Sequence, residues 1–177
     1  MTNDNIQIRK CRPGDQAALT LVSQATFLET FGGVLSGKGI VEHCSKAYSP
    51  ELYGEWIDDP SYHLWLVEVS PGDAPVGYML LAPPDLPVPD ADGDVELKRV
   101  YLLSKFHGAG TGKQLIDIAL AHTTYVHAKR LLLAVYENNN KAINFYESVG
   151  FRKLGKRKVN IGGFNYNDQI METTLNT

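Results

Sequence analysis

The residues best placed to do chemistry lie in Ser104-Lys105-Phe106-His107-Gly108-Ala109-Gly110-Thr111-Gly112-Lys113-Gln114. Glycine at every second position strips this loop of bulk, so the backbone N–H groups from His107 to Lys113 can converge on an anion at a helix start. That is a phosphate cradle. A Walker loop would need glycine where His107 stands and Ser or Thr where Gln114 stands. A dinucleotide fingerprint begun at Gly108 would need its third glycine at Lys113. Both are excluded. The same glycines would also serve a turn that only swings a strand into a helix.

A second stretch runs Asn139-Asn140-Lys141-Ala142-Ile143-Asn144-Phe145-Tyr146-Glu147-Ser148-Val149-Gly150-Phe151, with an Asn start, an apolar face and a terminating glycine. Taken together, His107-x-x-Gly110-x-Gly112 and Asn139-x-x-Ala142-x-x-Phe145-Tyr146-x-x-x-Gly150-Phe151 resemble the pyrophosphate loop and the later helix of the GNAT N-acetyltransferases. His107 stands where that family more often has Arg or Gln. The specific motifs cover roughly residues 95 to 155, and residues 1 to 90 agree in element order alone. In finer detail Phe27 to Gly32 and Glu96 to Leu103 look like the PaiA-type branch, associated with polyamine acetylation.

The resemblance implies an α/β fold, α+β by some schemes: a mixed central sheet of about seven strands flanked by helices. It implies that the strand from Val95 and the strand Leu131 to Val135 splay apart into a cleft for acetyl-CoA. Val100 and Leu102 would bind the cofactor through their main chain. His107, Gly108, Ala109, Gly110, Thr111, Gly112 and Lys113 would hold its pyrophosphate, with Asn139 on the opposite side. A backbone N–H on that strand would steady the oxyanion. Glu96, six residues before Leu102, is expected on the same strand face by period-two geometry, as general base through water. Tyr146 would be the general acid for the departing thiolate. Against these roles stand a plain surface carboxylate for Glu96 and a packed core tyrosine for Tyr146.

The elements that position these residues follow from pattern. Ile6 to Arg9 alternates like an edge strand, and Pro13-Gly14-Asp15 opens a helix to about Phe31. Lys38 to Tyr48 suits a second helix, and Ser49-Pro50 caps a third from Glu51 to Asp58. Tyr62 to Val69 and Val76 to Leu81 form a hairpin. Pro83 to Asp94, with four prolines and four aspartates, reads as a surface loop feeding the strand Val95 to Leu103. Leu115, Ile116, Ala119 and Leu120 mark a helix with one buried stripe, and Leu131 to Val135 a strand covered on both faces. Lys153 to Asn160 and Phe164 to Thr174 close as an antiparallel pair.

Composition bounds the rest. With 177 residues and 44% hydrophobic content the chain can bury a full core as one domain, residues 1–177. A net charge of −3 argues against a general nucleic-acid binder. Cys11 and Cys44 are too few for a disulfide framework or a zinc site, and no metal is expected. No run approaches the ~20 apolar residues of a membrane span, and no leader pattern is visible, so a cytoplasmic protein with free thiols is expected. His122 and His127 lack metalloprotease spacing and read as surface helix residues.

The acceptor would be the primary amine of a small molecule, spermidine or spermine among the candidates. Phe27, Phe31, Tyr48 and Tyr53 would give aromatic walls, and Asp85, Asp90, Asp92 and Asp94 an acidic attraction. Equally, the aromatics are core and the aspartates solvated. A protein or peptide N-acetyltransferase with an open groove, and a non-catalytic acetyl-CoA-binding module, remain as alternatives. A homodimer is left open.

Overall fold

A computed structural model describes residues 6–175. In chain order it comprises β1 (Ile6–Lys10), α1 (Gln16–Phe31), α2 (Gly37–Ala47), α3 (Pro50–Asp58), β2 (His63–Val69), β3 (Ala74–Ala82) and β4 (Val95–Leu102). A 3-10 turn (Ser104–Phe106) leads to α4 (Thr111–Tyr125), β5 (Arg130–Tyr136), α5 (Asn140–Ser148), β6 (Arg152–Ile161) and β7 (Phe164–Thr174). The strands make one mixed sheet in the order β1-β2-β3-β4-β5-β7-β6.

The helix starts follow from their first residues. Ser36 and Ser49 accept from the backbone N–H of Gly39 and Leu52, and Asn139 accepts from Ala142, so each cap satisfies an otherwise orphaned donor. Asp15 stands at the N-cap of α1 but makes no such bond. Its carboxylate instead takes both Arg9 Nη groups at 2.7 and 2.9 Å and the Arg12 N–H at 2.8 Å. Arg9 also pairs with Glu68, so β1, β2 and the start of α1 are joined by charge.

Helices cover both faces of the sheet. On one face Leu115, Ile116 and Ala119 of α4 and Ile143 of α5 pack on Met79, Leu97, Leu131 and Leu133. On the other, Leu19, Val22 and Phe27 of α1 and Tyr53 of α3 pack on Leu64, Leu66, Tyr78 and Leu80. Each fully buried Leu or Ile stabilises the fold by about 1.5–3 kcal/mol in transfer from water.

Two features depart from the sequence reading. The Pro83 to Asp94 segment is irregular but is not merely solvated: Leu86 is buried against Leu132 and Ile170, and Asp94 is ion-paired with Arg130. His122 is half-buried, its ring 4.1 Å from that of His63, rather than a free surface residue. Cys11 and Cys44 are free thiols in this structure.

Two irregularities in β4 shape everything downstream. Its parallel pairing with β5 runs only through Val95↔Leu131, Glu96↔Leu132 and Leu97↔Leu133. Beyond that β4 stays with β3 to Leu102 and β5 with β7 to Tyr136, so the two central strands part. In addition, Leu81 faces Leu97 while Leu80 faces Arg99, which leaves Lys98 as an extra residue in a β-bulge.

Candidate active site

Where β4 and β5 part, a cavity of about 690 Å³ opens. It runs from the glycine loop, past the splayed strands, to the aromatic side chains of α1 and α2. Val100, Leu102, His107, Gly108, Gly110, Gly112, Lys113, Asn139, Glu96 and Tyr146 all line it, as do Phe27, Phe31 and Tyr48. Thr111 and Ala109 do not. Thr111 is buried in the first turn of α4, and Ala109 sits between two lining glycines.

The loop owes its shape to two glycines. Gly108 and Gly110 take φ of 84° and 86°, left-handed values that side chains resist, and they turn the chain from the 3-10 segment into α4. Gly112, in the first turn of α4, lies beside Phe145 of α5, where a Cβ would sit 3.5 Å from the ring, an ordinary contact distance. The loop is anchored at its entry by α1, whose Glu29 accepts from the Ser104 N–H at 2.9 Å and its hydroxyl at 2.7 Å.

His107 ties three segments together. Its Nε2 lies 2.7 Å from the Leu102 carbonyl and its Nδ1 3.2 Å from Lys141 Nζ. An ammonium can only donate and a carbonyl only accept, so the two contacts suit the tautomer that carries its proton on Nε2. Lys113, by contrast, is held by Asp117 one turn on, at 2.7 Å.

Glu96 is buried at 2% exposure. Its carboxylate accepts from the Asp85 N–H at 2.7 Å and lies 3.9 Å from Lys98 Nζ. The expected shared face with Leu102 is overturned by the bulge. Leu97, Val100 and Leu102 pack toward α4 and α5, whereas Glu96, opposite Ala82, falls in line with Arg99 and Tyr101 toward the α1 side. One inserted residue reverses the parity of every position beyond it.

Tyr146, on α5, is nine-tenths buried, with Phe145 and Phe151 rings at 5.4 and 5.7 Å. Its hydroxyl has no hydrogen-bond partner among the described residues. Burial, with Tyr101 nearby, pushes its phenol well above the usual tyrosine value, so it keeps its proton across the physiological range.

At the far end Phe27 contacts the rings of Phe31, His43 and Tyr48 at 4.5, 4.6 and 5.5 Å. Arg99 lies over Tyr48 at 4.5 Å and Trp56 at 4.9 Å. Burial works against its charge, but Tyr78, Tyr53 and Tyr48 outweigh it and hold the guanidinium above its ordinary value. Tyr53 is fully buried and bonded to Arg99, a core residue rather than a cavity wall. Of the four loop aspartates only Asp85 lines the cavity. Asp92 and Asp94 face a separate recess beside His63 and His122, and Asp94 is neutralised by Arg130 at 2.7 Å. The expected acidic attraction from this loop therefore fails at Asp90, Asp92 and Asp94.

Residues 36–151 match the model of the Acetyltransferase (GNAT) family. The chain belongs to the GNAT acetyltransferase family. An uncharacterized N-acetyltransferase of Mycobacterium tuberculosis is 30% identical over 161 residues, covering 91% of this chain and 98% of the relative. A peptidyl-lysine N-acetyltransferase of Salmonella typhimurium is 35% identical over 65% of this chain and 68% of its own. The spermine/spermidine N(1)-acetyltransferase of Bacillus subtilis is 30% identical over 44% of this chain and 51% of its own. In fold, the chain is similar to the PaiA N-acetyltransferase of Thermoplasma acidophilum in complex with coenzyme A. The TM-score is 0.76 at 22% identity, over 96% of this chain and 99% of that one.

A GNAT cleft must take a long thioester, and the residues here fit acetyl-CoA. Gly108 and Gly110 keep the loop free of side chains, and the parted strands offer an extended slot. Acetyl-CoA supplies the activated acetyl group when bound. Three contributors carried no usable signal in the sequence of this GNAT chain. They are the Glu29 tether, the Lys141–His107 contact and the Arg99 cage, each joining positions more than thirty residues apart. Among the described residues no group of three or more His, Cys, Asp or Glu is arranged to hold a metal ion, and no helix is long and apolar enough to cross a membrane.

Proposed function

We propose that this chain moves the acetyl group of acetyl-CoA onto the amine of a small molecule, by direct attack within a ternary complex. One observation carries the reading: a buried carboxylate, Glu96, and a buried phenol, Tyr146, line a single cavity that joins the glycine loop to an aromatic pocket. Neither Cys11 nor Cys44 lines that cavity, which favours direct attack over a cysteine-bound acyl intermediate.

An alkylammonium with a pKa near ~10 must lose a proton before it can attack. Glu96 accepts that proton through water, and Lys98 beside it balances the charge. Main-chain N–H groups at Val100 and Leu102, freed by the splay, donate to the thioester oxygen. Asn139 spends its side-chain oxygen on the cap of α5 and keeps its amide N–H groups for the cofactor arm. Tyr146 holds its proton where the departing sulfur needs it.

A small acceptor is favoured by the wall at the aromatic end. α2 meets the β6–β7 turn so closely that a Cβ on Gly39 would lie 3.2 Å from the Gly162 Cα, and Leu35, His43 and Ile161 around this contact line the cavity. A polyamine finds little there, since the acids are already paired: Glu96 and Asp85 with Lys98, and Asp168 with Arg157. A peptide lysine, raised by the Salmonella relative, would need an open groove.

The test is CoA release from acetyl-CoA in the presence of a panel of small amines, polyamines and lysine peptides, with mass detection of the products. Acetylation of small amines supports the reading. Acetylation of lysine peptides alone, or none at all, defeats it.

A further inference from the structure

Arg99 is half-buried in the acceptor end of the cavity, on the same face of β4 as Glu96 and Tyr101. Its Nη1 donates to the Ala47 carbonyl at 3.0 Å and to the Tyr53 hydroxyl at 3.2 Å, which ties the end of α2 to the sheet. That structural task uses one nitrogen. A guanidinium carries five N–H donors, and those on Nε and Nη2 meet no acceptor among the described residues. The other acceptor-end cations are matched: Lys98 by Asp85 and Glu96, and Arg157 by Asp168. No carboxylate of the described residues pairs with Arg99.

We infer that Arg99 receives an oxyanion of the acceptor, so that the substrate is an amine that also bears a carboxylate or a similar acid group. This rests on the small-amine reading above and narrows it. A guanidinium flanked by aromatic rings, with a free N–H edge, is the side chain best suited to grip a carboxylate by two parallel hydrogen bonds. A polycation would bring like charge to the same place, an arrangement that costs binding.

The spacing also suits one bifunctional molecule. Glu96 sits opposite Ala82 and Arg99 opposite Leu80, two residues along β3, so base and anion site are roughly 7 Å apart along the strand. The amine goes to Glu96 and the acid to Arg99. The aromatic wall formed by Phe27, Phe31 and Tyr48 then covers the carbon chain between them.

The experiment measures kcat/KM with saturating acetyl-CoA for matched acceptor pairs, free amino acids against their carboxamides, with spermidine as a third arm. The wild-type chain is expected to prefer the carboxylate member by roughly tenfold or more, the size of a charge-assisted hydrogen bond, with the difference lying in the acceptor KM. In Arg99→Gln, with folding checked by thermal melting, that preference falls toward parity. If this variant does not fold, the wild-type comparison decides alone. Equal use of acid and amide, a preference for spermidine, or an Arg99→Gln enzyme with its preference intact overturns the assignment and leaves the small-amine reading standing. Silence with every amine overturns both.

Discussion

Tyr146 and Glu96 have ordinary side chains made useful by where they are held. Tyr146 is buried among Phe145 and Phe151, so its hydroxyl contributes little to packing. Tyr146→Phe should therefore keep its melting temperature within the spread of a surface change while turnover falls roughly 10²-fold, the usual worth of a general acid. A large stability loss with normal turnover would mark a core residue instead. Glu96→Gln preserves the acceptor oxygen for the Asp85 N–H but cannot take a proton. Its kcat/KM should be strongly reduced near neutral pH and recover as alkali supplies free amine, and a wild-type pH profile would remove the base.

The glycine loop and the first strand-helix junction show how a segment acts as a unit. Gly110 has open space for a Cβ, but its φ of 86° is the obstacle, costing a non-glycine residue about 1–2 kcal/mol. Gly110→Glu should fold with that modest loss and fail to bind acetyl-CoA in a calorimetric titration, because a carboxylate then occupies the cradle. Unchanged affinity in the folded variant would contradict the cradle. At the β1–α1 junction, Arg9 above all, and the Arg12 N–H, hold the Asp15 carboxyl below its ordinary value of 3.8. A depressed carboxylate stabilises the fold fully above its unfolded value, and the gain is lost as pH falls through the lowered folded value. Melting temperature should thus fall below about pH 4, and Asp15→Asn should cost about 2–3 kcal/mol at neutral pH and flatten that acid slope. The elements themselves were legible because Ser49 and Asn139 cap their helices, β1 alternates and β5 is a short continuous apolar run. The bulge at Lys98 was not, since nothing in a strand's composition announces an inserted residue. It moved Glu96 to the other face, which turns it away from the cofactor side of the sheet and toward the aromatic pocket.

At the scale of the molecule, a mildly acidic chain of net charge −3 encloses a cavity that brings cations to both of its ends, Lys141 by the loop and Arg99 by the aromatics. The glycine loop and the Asn139 helix could be read in the sequence because their roles depend on backbone geometry, which glycine and asparagine encode locally. The acceptor end could not be. Phe27, Tyr48 and Arg99 come from three segments, and only the folded sheet shows that Asp90, Asp92 and Asp94 lie elsewhere while Arg99 lies within. The central claim is direct transfer between two substrates held together in this one cavity. Initial rates measured over a grid of acetyl-CoA and acceptor concentrations test it most directly. Intersecting double-reciprocal lines, with no CoA released before amine is added, are the predicted result; parallel lines with a burst of CoA in the absence of amine would mean an acyl-enzyme and contradict it.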